Sequence, residues 1–143
     1  MVTERQIRDE QEMLDFGAEM ARLLGSFNGE RGPVVYLQGD LGAGKTTLVR
    51  GILRSIGYQG SVKSPTYTLL EPYADEGVYH FDFYRIVEHE ELEFIGIDEL
   101  MDAPFIKLIE WPEMAGDRLP APDMRIQIHI EDSGRRVVCE YAH

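Results

Sequence analysis

The sequence predicts an α/β protein with a mostly parallel central sheet flanked by helices and an antiparallel hairpin at its C-terminal end. Three observations carry this. Gly39-Asp40-Leu41-Gly42-Ala43-Gly44-Lys45-Thr46 has the spacing G-x-x-x-x-G-K-[ST] of a phosphate loop. An apolar run, Pro33 to Leu37, precedes it, and Leu48, Val49, Ile52, Leu53 and Ile56 follow at helical spacing, so the loop joins a buried strand to a helix. Near the end, "RIQIHI" alternates, "EDSGRR" supplies a turn and "VVCEY" returns, which reads as a hairpin. Together these give the class of P-loop NTPases, in which ligands sit at the carboxyl ends of the parallel strands.

Each element follows in order. Asp9 caps a helix, with Glu12 in the capping-box position; Met13, Gly17, Met20, Ala21 and Leu24 share its inner face and Gly25 ends it. The strand 33–37, the loop and a helix closed by Gly57 come next. Residues 61–73 read as a loop entering a strand, 78–85 as a strand, and 88–102 as helix interrupted at Gly96. "FIKLIEW" (105–111) is a short strand closed by Pro112, and a loop leads to the hairpin. With 143 residues and no internal boundary, 1–143 reads as one domain.

Composition narrows the function. Fourteen basic against 26 acidic residues leave a net charge of −12, which disfavours direct, strong binding of nucleic acid. Cys139 is the only cysteine, no apolar run reaches the ~20 residues of a membrane span, and the N-terminus is too charged for a signal peptide. The expectation is a cytoplasmic protein without membrane attachment.

The chemistry is expected at the loop. Gly39, Gly42 and Gly44 let successive amides face inward as an anion nest at a helix N-terminus; Lys45 adds a full charge, Thr46 offers a hydroxyl to Mg²⁺, and Thr47 serves the α-phosphate side. An acid at a neighbouring strand end is needed to hold or orient the metal. Asp82 and Glu110 both stand where an apolar strand meets a turn, and the residues alone leave the choice between them open. Thr66 and Thr68 are placed to sense a γ-phosphate, although spacing alone favours an ordinary loop-to-strand entry. Arg85 reads first as an acid's partner, Trp111 as core beside Glu110, His80 as a satisfied half-buried residue, and the acids from Glu88 to Asp102 as a solvated face or a dock for a basic partner. No N-K-x-D motif is present, which favours ATP over GTP, and the arginines form no lid of the kind a metabolite kinase carries.

"GDLGAGKTTLVRGIL", "VKSPTYTLLEPY", "YHFDFYR", "EELEFIGI" and "LIEWPE", in this order, resemble the bacterial tRNA threonylcarbamoyladenosine biosynthesis ATPase, the TsaE (YjeE) family, over roughly Asp9 to Pro112. The resemblance implies an ATPase required for N6-threonylcarbamoyladenosine at position 37 of tRNAs reading codons that begin with A. It implies the partner subunits TsaD and TsaB, contact with tRNA only through them, and the cofactors ATP and Mg²⁺. It further implies that Lys45 contacts phosphates, that Thr46 and Glu110 hold the metal, and that Asp82 acts in hydrolysis or in the metal's outer shell. Thr66 and Thr68 fall in a switch-like loop, and Trp111 in a segment needed for function. Many relatives carry Thr where this chain has Met13; Glu10 or its backbone is the expected adenine contact. Two other readings remain: an ATP-switched binding module without required turnover, and a small-molecule kinase.

Overall fold

Central to the sheet is β2 (Val34–Gln38), which feeds the glycine loop and α2 (Lys45–Ile56). The computed structural model describes residues 1–141. The other strands are β1 (Val2–Ile7), β3 (Leu70–Tyr73), β4 (Val78–Asp82), β5 (Ile106–Glu110), β6 (Met124–Glu131) and β7 (Gly134–Tyr141). All join one sheet in the order β1-β7-β6-β2-β5-β4-β3. β2 runs parallel to both β5 and β6, and β4 runs parallel to β5. The outer pairs β1–β7, β6–β7 and β3–β4 are antiparallel. The parallel centre is therefore as expected, while the C-terminal hairpin is no appendage: β6 extends the parallel core and β7 receives β1.

The strand β1 is a correction to the sequence reading, which placed no element before Asp9. Only Ile7 of its six residues is buried, so no apolar alternation marks it. It is an edge strand held by backbone pairing to β7, from Val2 opposite Glu140 to Ile7 opposite Arg135. The loop expected to enter a strand within 61–73 does so at Leu70, and Pro72 is tolerated because β3 is the opposite edge of the sheet. A second correction is the strand expected over 78–85, which ends at Asp82, where the chain turns and the Asp82 side chain accepts from the Tyr84 amide.

Period-two alternation gives the sheet two apolar faces. Val35, Leu37, Leu108 and Ile126 pack with α1 (Glu10–Gly25) and α2. Val34, Phe81 and Ile109 pack on the other face with α3 (Glu90–Ile95) and α4 (Ile97–Asp102), which meet at the left-handed Gly96 (φ 74°) where the interruption was expected. The Asp9 side chain caps α1 by accepting from the Glu12 amide at 2.9 Å, but Glu12 reaches back to the Arg8 amide at 2.7 Å rather than to Asp9. A Cβ on Gly51 would lie 2.6 Å from the Leu14 carbonyl oxygen, and one on Gly17 2.8 Å from that of Leu48. The two helices thus touch backbone to backbone, and this contact brings the start of α1 beside the glycine loop. No helix among the described residues is long and apolar enough to cross a membrane.

At the opposite end of β5, Lys107 is fully buried and donates to the carbonyls of Gly32 (3.0 Å) and Ala103. Burial pushes its ammonium down to about 8, and Arg31 acts in the same direction. Lys107 therefore loses its proton more readily folded than unfolded, so the cost of its charge is present below pH 8 and is relieved as pH rises toward its ordinary 10.5. Burial raises the Cys139 thiol from 9.0 to about 11, which lowers stability only above pH 9. Between pH 8 and 9 the unfolding free energy of the wild type should gain about 1 kcal/mol relative to Lys107→Met, measured by urea titration at each pH. Parallel pH curves for the two proteins would refute this account of Lys107.

Candidate functional site

The register of two parallel strands assembles the acidic half of the site. Asp82 ends β4 and lies opposite Glu110, which ends β5. Both share the sheet face of Val78, Ile106 and Leu108, the face that α2 covers, and each is only 3% exposed. The basic half comes from the glycine loop between β2 and α2.

That loop uses its glycines for two reasons. Gly42 and Gly44 have φ of 83° and 118°, the left-handed region that disfavours a side chain. Gly39 does not; a Cβ there would lie 2.8 Å from the Ile128 carbonyl oxygen, so close approach to β6 excludes it. The loop is tightened by a hydrogen bond from the Ala43 amide to the Asp40 carbonyl at 3.0 Å. Lys45 opens α2 and is 5% exposed. Its ammonium donates to the Gly39 carbonyl at 2.5 Å and lies 4.0 Å from the centre of the Trp111 ring. Among the described residues no carboxylate comes within ion-pair distance of it. Burial pushes its pKa down, while Glu110, Asp82, Glu113 and Asp40 pull it up from farther off.

The two acids differ in their partners. Both Asp82 oxygens are engaged: it accepts from the Ser64 hydroxyl, from the Thr66 hydroxyl at 3.1 Å and from the Tyr84 amide at 2.9 Å. One Glu110 oxygen meets His80 Nε2 at 2.7 Å, and among the described residues no donor reaches the other. His80 is fully buried rather than half-buried, and among the described residues its Nδ1 has no partner. Trp111 holds a left-handed backbone (φ 57°, ψ 50°), unusual for a bulky residue, and its ring is 4.8 Å from that of Tyr84. Such an outlier beside the acids is a feature of a functional turn more than of plain core.

Two cavities meet at Gly42, Gly44 and Thr47. The larger, about 460 Å³, is lined by Lys45, Thr46, Ser64, Thr66, Asp82, Glu110 and Trp111. The smaller, about 270 Å³, lies between Asp9, Glu10 and Met13 of α1 and Gly134 and Arg135 of β7. The structure thus brings together Lys45, Thr46, Thr47, Thr66, Asp82, Glu110 and Trp111, with Leu41 and Gly42 at the rim and Ala43 and Glu10 toward the smaller cavity. Glu10 also pairs with Arg50 at 2.6 Å. Asp40 and Gly39 shape the loop without lining either cavity. Thr68 stays outside: it is exposed, and its hydroxyl is 3.5 Å from the Leu70 carbonyl.

Arg85 is not paired with an acid among the described residues; its guanidinium lies 4.6 Å over the Tyr67 ring at the mouth of the larger cavity. The acidic run is partly structural, since Glu91 accepts from the amides of Val87 and Glu88, and Glu93 pairs with Arg118. Sequence reasoning missed Ser64, the contact of His80 with Glu110, and Arg135. Ser64 stands two residues before Thr66, and His80 two before Asp82, the spacing that puts side chains on one side of an extended chain; Arg135 gave no local signal.

The arrangement can hold a polyanion over the loop amides and Lys45, with a divalent cation between Thr46 and Glu110. Among the described residues no group of three or more His, Cys, Asp or Glu side chains is placed to hold a metal alone. A cation here would take the rest of its oxygen ligands from the anion and from water, which suits Mg²⁺.

Residues 7–138 match the family model described as threonylcarbamoyl adenosine biosynthesis protein TsaE. The chain is 50% identical over 133 residues to the tRNA threonylcarbamoyladenosine biosynthesis protein TsaE of Haemophilus influenzae, covering 92% of this chain and 84% of that protein. It is 36% identical over 132 residues to the protein of that name from Treponema pallidum, covering 92% and 94%. The crystal structure of Bacillus subtilis YdiB superposes with a TM-score of 0.76 at 26% identity, covering 100% of this chain and 87% of that one. Sequence, fold and loop agree, and the chain belongs to the TsaE family.

Proposed function

We propose that this protein is a Mg²⁺-dependent, ATP-hydrolysing subunit required for threonylcarbamoylation of adenosine 37 in tRNAs reading ANN codons, acting on the TsaD–TsaB transferase in the cytoplasm. The observation that carries the catalytic part is Lys45: a buried ammonium with no acid at ion-pair distance among the described residues, beside an amide nest. A bound triphosphate would supply the missing counter-charge. Family membership and the names of the relatives support the pathway.

In this reading Lys45 and the loop amides stabilise negative charge on the transferring phosphoryl group, the main source of catalysis in this chemistry. Thr46 and Glu110 would hold Mg²⁺, which when bound adds positive charge against the phosphate oxygens. Asp82 gathers Ser64 and Thr66, whose hydroxyls face the cavity and orient water there. Trp111 packs over the Lys45 ammonium and limits its motion. Arg85, over the Tyr67 ring, is the one arginine that lines the larger cavity among the described residues, and turnover by the isolated chain is expected to be slow.

The test is phosphate release from ATP with and without purified TsaB–TsaD. Slow release that the pair stimulates is expected. Failure of the wild type to bind ATP would overturn the reading. Tight binding with no stimulation would favour an ATP-switched module, for which the tie between Asp82 and the 64–66 segment is the supporting contact.

A further inference from the structure

Arg135 spends its guanidinium on the back of the glycine loop. It sits at the start of β7, 92 positions from Ala43, whose carbonyl oxygen accepts from its Nε at 2.8 Å. Its Nη2 donates to the Gly42 carbonyl at 3.2 Å, and its Nη1 returns to the Gly134 carbonyl at 2.9 Å. The backbone that carries it is packed close, because Gly134 is pressed against the β1–α1 junction: a Cβ there would lie 2.3 Å from the Ile7 carbonyl oxygen. Loop, hairpin and the start of α1 thereby meet around the smaller cavity.

We propose that Arg135 is a positioning residue for phosphate binding, acting through the loop backbone and not by touching the ligand. The inference rests on the reading of Gly39–Thr46 as a phosphate site. A trans peptide is planar, with its carbonyl and amide on opposite sides. Holding the Ala43 oxygen from behind turns the Gly44 N–H forward, and among the described residues that N–H has no acceptor. Of the two loop peptides that Arg135 holds, the Gly42–Ala43 peptide has its N–H committed to Asp40, and the Ala43–Gly44 peptide, which takes the shorter contact, has its N–H free among the described residues. Gly44 is left-handed and has no Cβ to fix this peptide by sterics, so an external clamp is what sets it.

The experiment measures Kd for Mg-ATP and for inorganic tripolyphosphate in wild type, Arg135→Ala and Arg135→Lys, read from the emission of Trp111, the only tryptophan. Arg135→Ala is expected to weaken both ligands by the same factor, about tenfold or more, as loss of charge-assisted hydrogen bonds implies. Arg135→Lys, which can reach one carbonyl, should recover part of the loss for both. A loss confined to ATP would overturn the proposal, because it would place Arg135 on the nucleoside. Unchanged affinities in a wild type that binds ATP would overturn it too. If Arg135→Ala fails to fold, Arg135→Lys alone decides: equal weakening of both ligands supports the clamp, and unchanged binding refutes it. A wild type that binds neither ligand would instead remove the phosphate-site reading and this inference with it.

Discussion

Replacing Lys45 by methionine is expected to reduce ATP turnover by about 10²–10³-fold, the range for removing a cationic or hydrogen-bonding stabiliser of developing charge. The same change should leave the ligand-free protein as stable as the wild type or more so. Methionine keeps the aliphatic stem against Trp111, whereas the ammonium it removes is 5% exposed and has no carboxylate within ion-pair distance among the described residues. Burial holds the folded pKa of Lys45 below its unfolded value. Its charge therefore opposes folding at neutral pH, and that cost disappears as pH rises through the two pKa values. Urea unfolding and single-turnover hydrolysis, run on one preparation, check both halves. A variant that keeps full turnover would sink the phosphate reading; one that is much less stable would mean that the contacts of the ammonium with the Gly39 carbonyl and Trp111 outweigh the cost of burying its charge.

The two acids should separate cleanly. Glu110→Gln is expected to weaken Mg²⁺ binding in the presence of ATP by about 10–100-fold, while the amide oxygen can still meet His80 and preserve the fold. Asp82→Asn should leave Mg²⁺ affinity near that of the wild type and lower turnover, because the Asp82 carboxylate collects donors from Ser64, Thr66 and Tyr84 rather than offering a free oxygen to a cation. Titration of Mg²⁺ at fixed ATP, followed through Trp111 emission, gives the affinities, and phosphate release gives the rates. The opposite pattern would exchange the roles of the two residues. If Asp82→Asn hydrolyses no ATP yet sustains tRNA modification over many cycles, the switch module replaces the ATPase.

The loop was legible because its chemistry is local. Three glycines, a lysine and a threonine must occupy one short run to present amides and charge to one ligand, and the strand and helix around it declare themselves by period. Asp82 and Glu110 were legible as strand-end acids for the same reason. Their different surroundings were not, since the partners that distinguish them, Ser64 and His80, arrive by strand register and by a loop packed across it. Thr68 shows the converse: it shares a motif with Thr66, yet a left-handed Leu69 (φ 68°) follows it and its hydroxyl reaches only the Leu70 carbonyl, on the chain's way into β3.

Sequence by itself determined the fold class, the glycine loop between strand and helix, the pair of strand-end acids and the capped start of α1, because each rests on contacts within a few residues. Tertiary structure alone decided the existence of β1, the burial of His80 against Glu110, the lack of an acid partner for Lys45 among the described residues and the reach of Arg135 to the loop. These depend on which edges remain for pairing and which side chains meet across distant strands, and no periodicity within a short window carries that information.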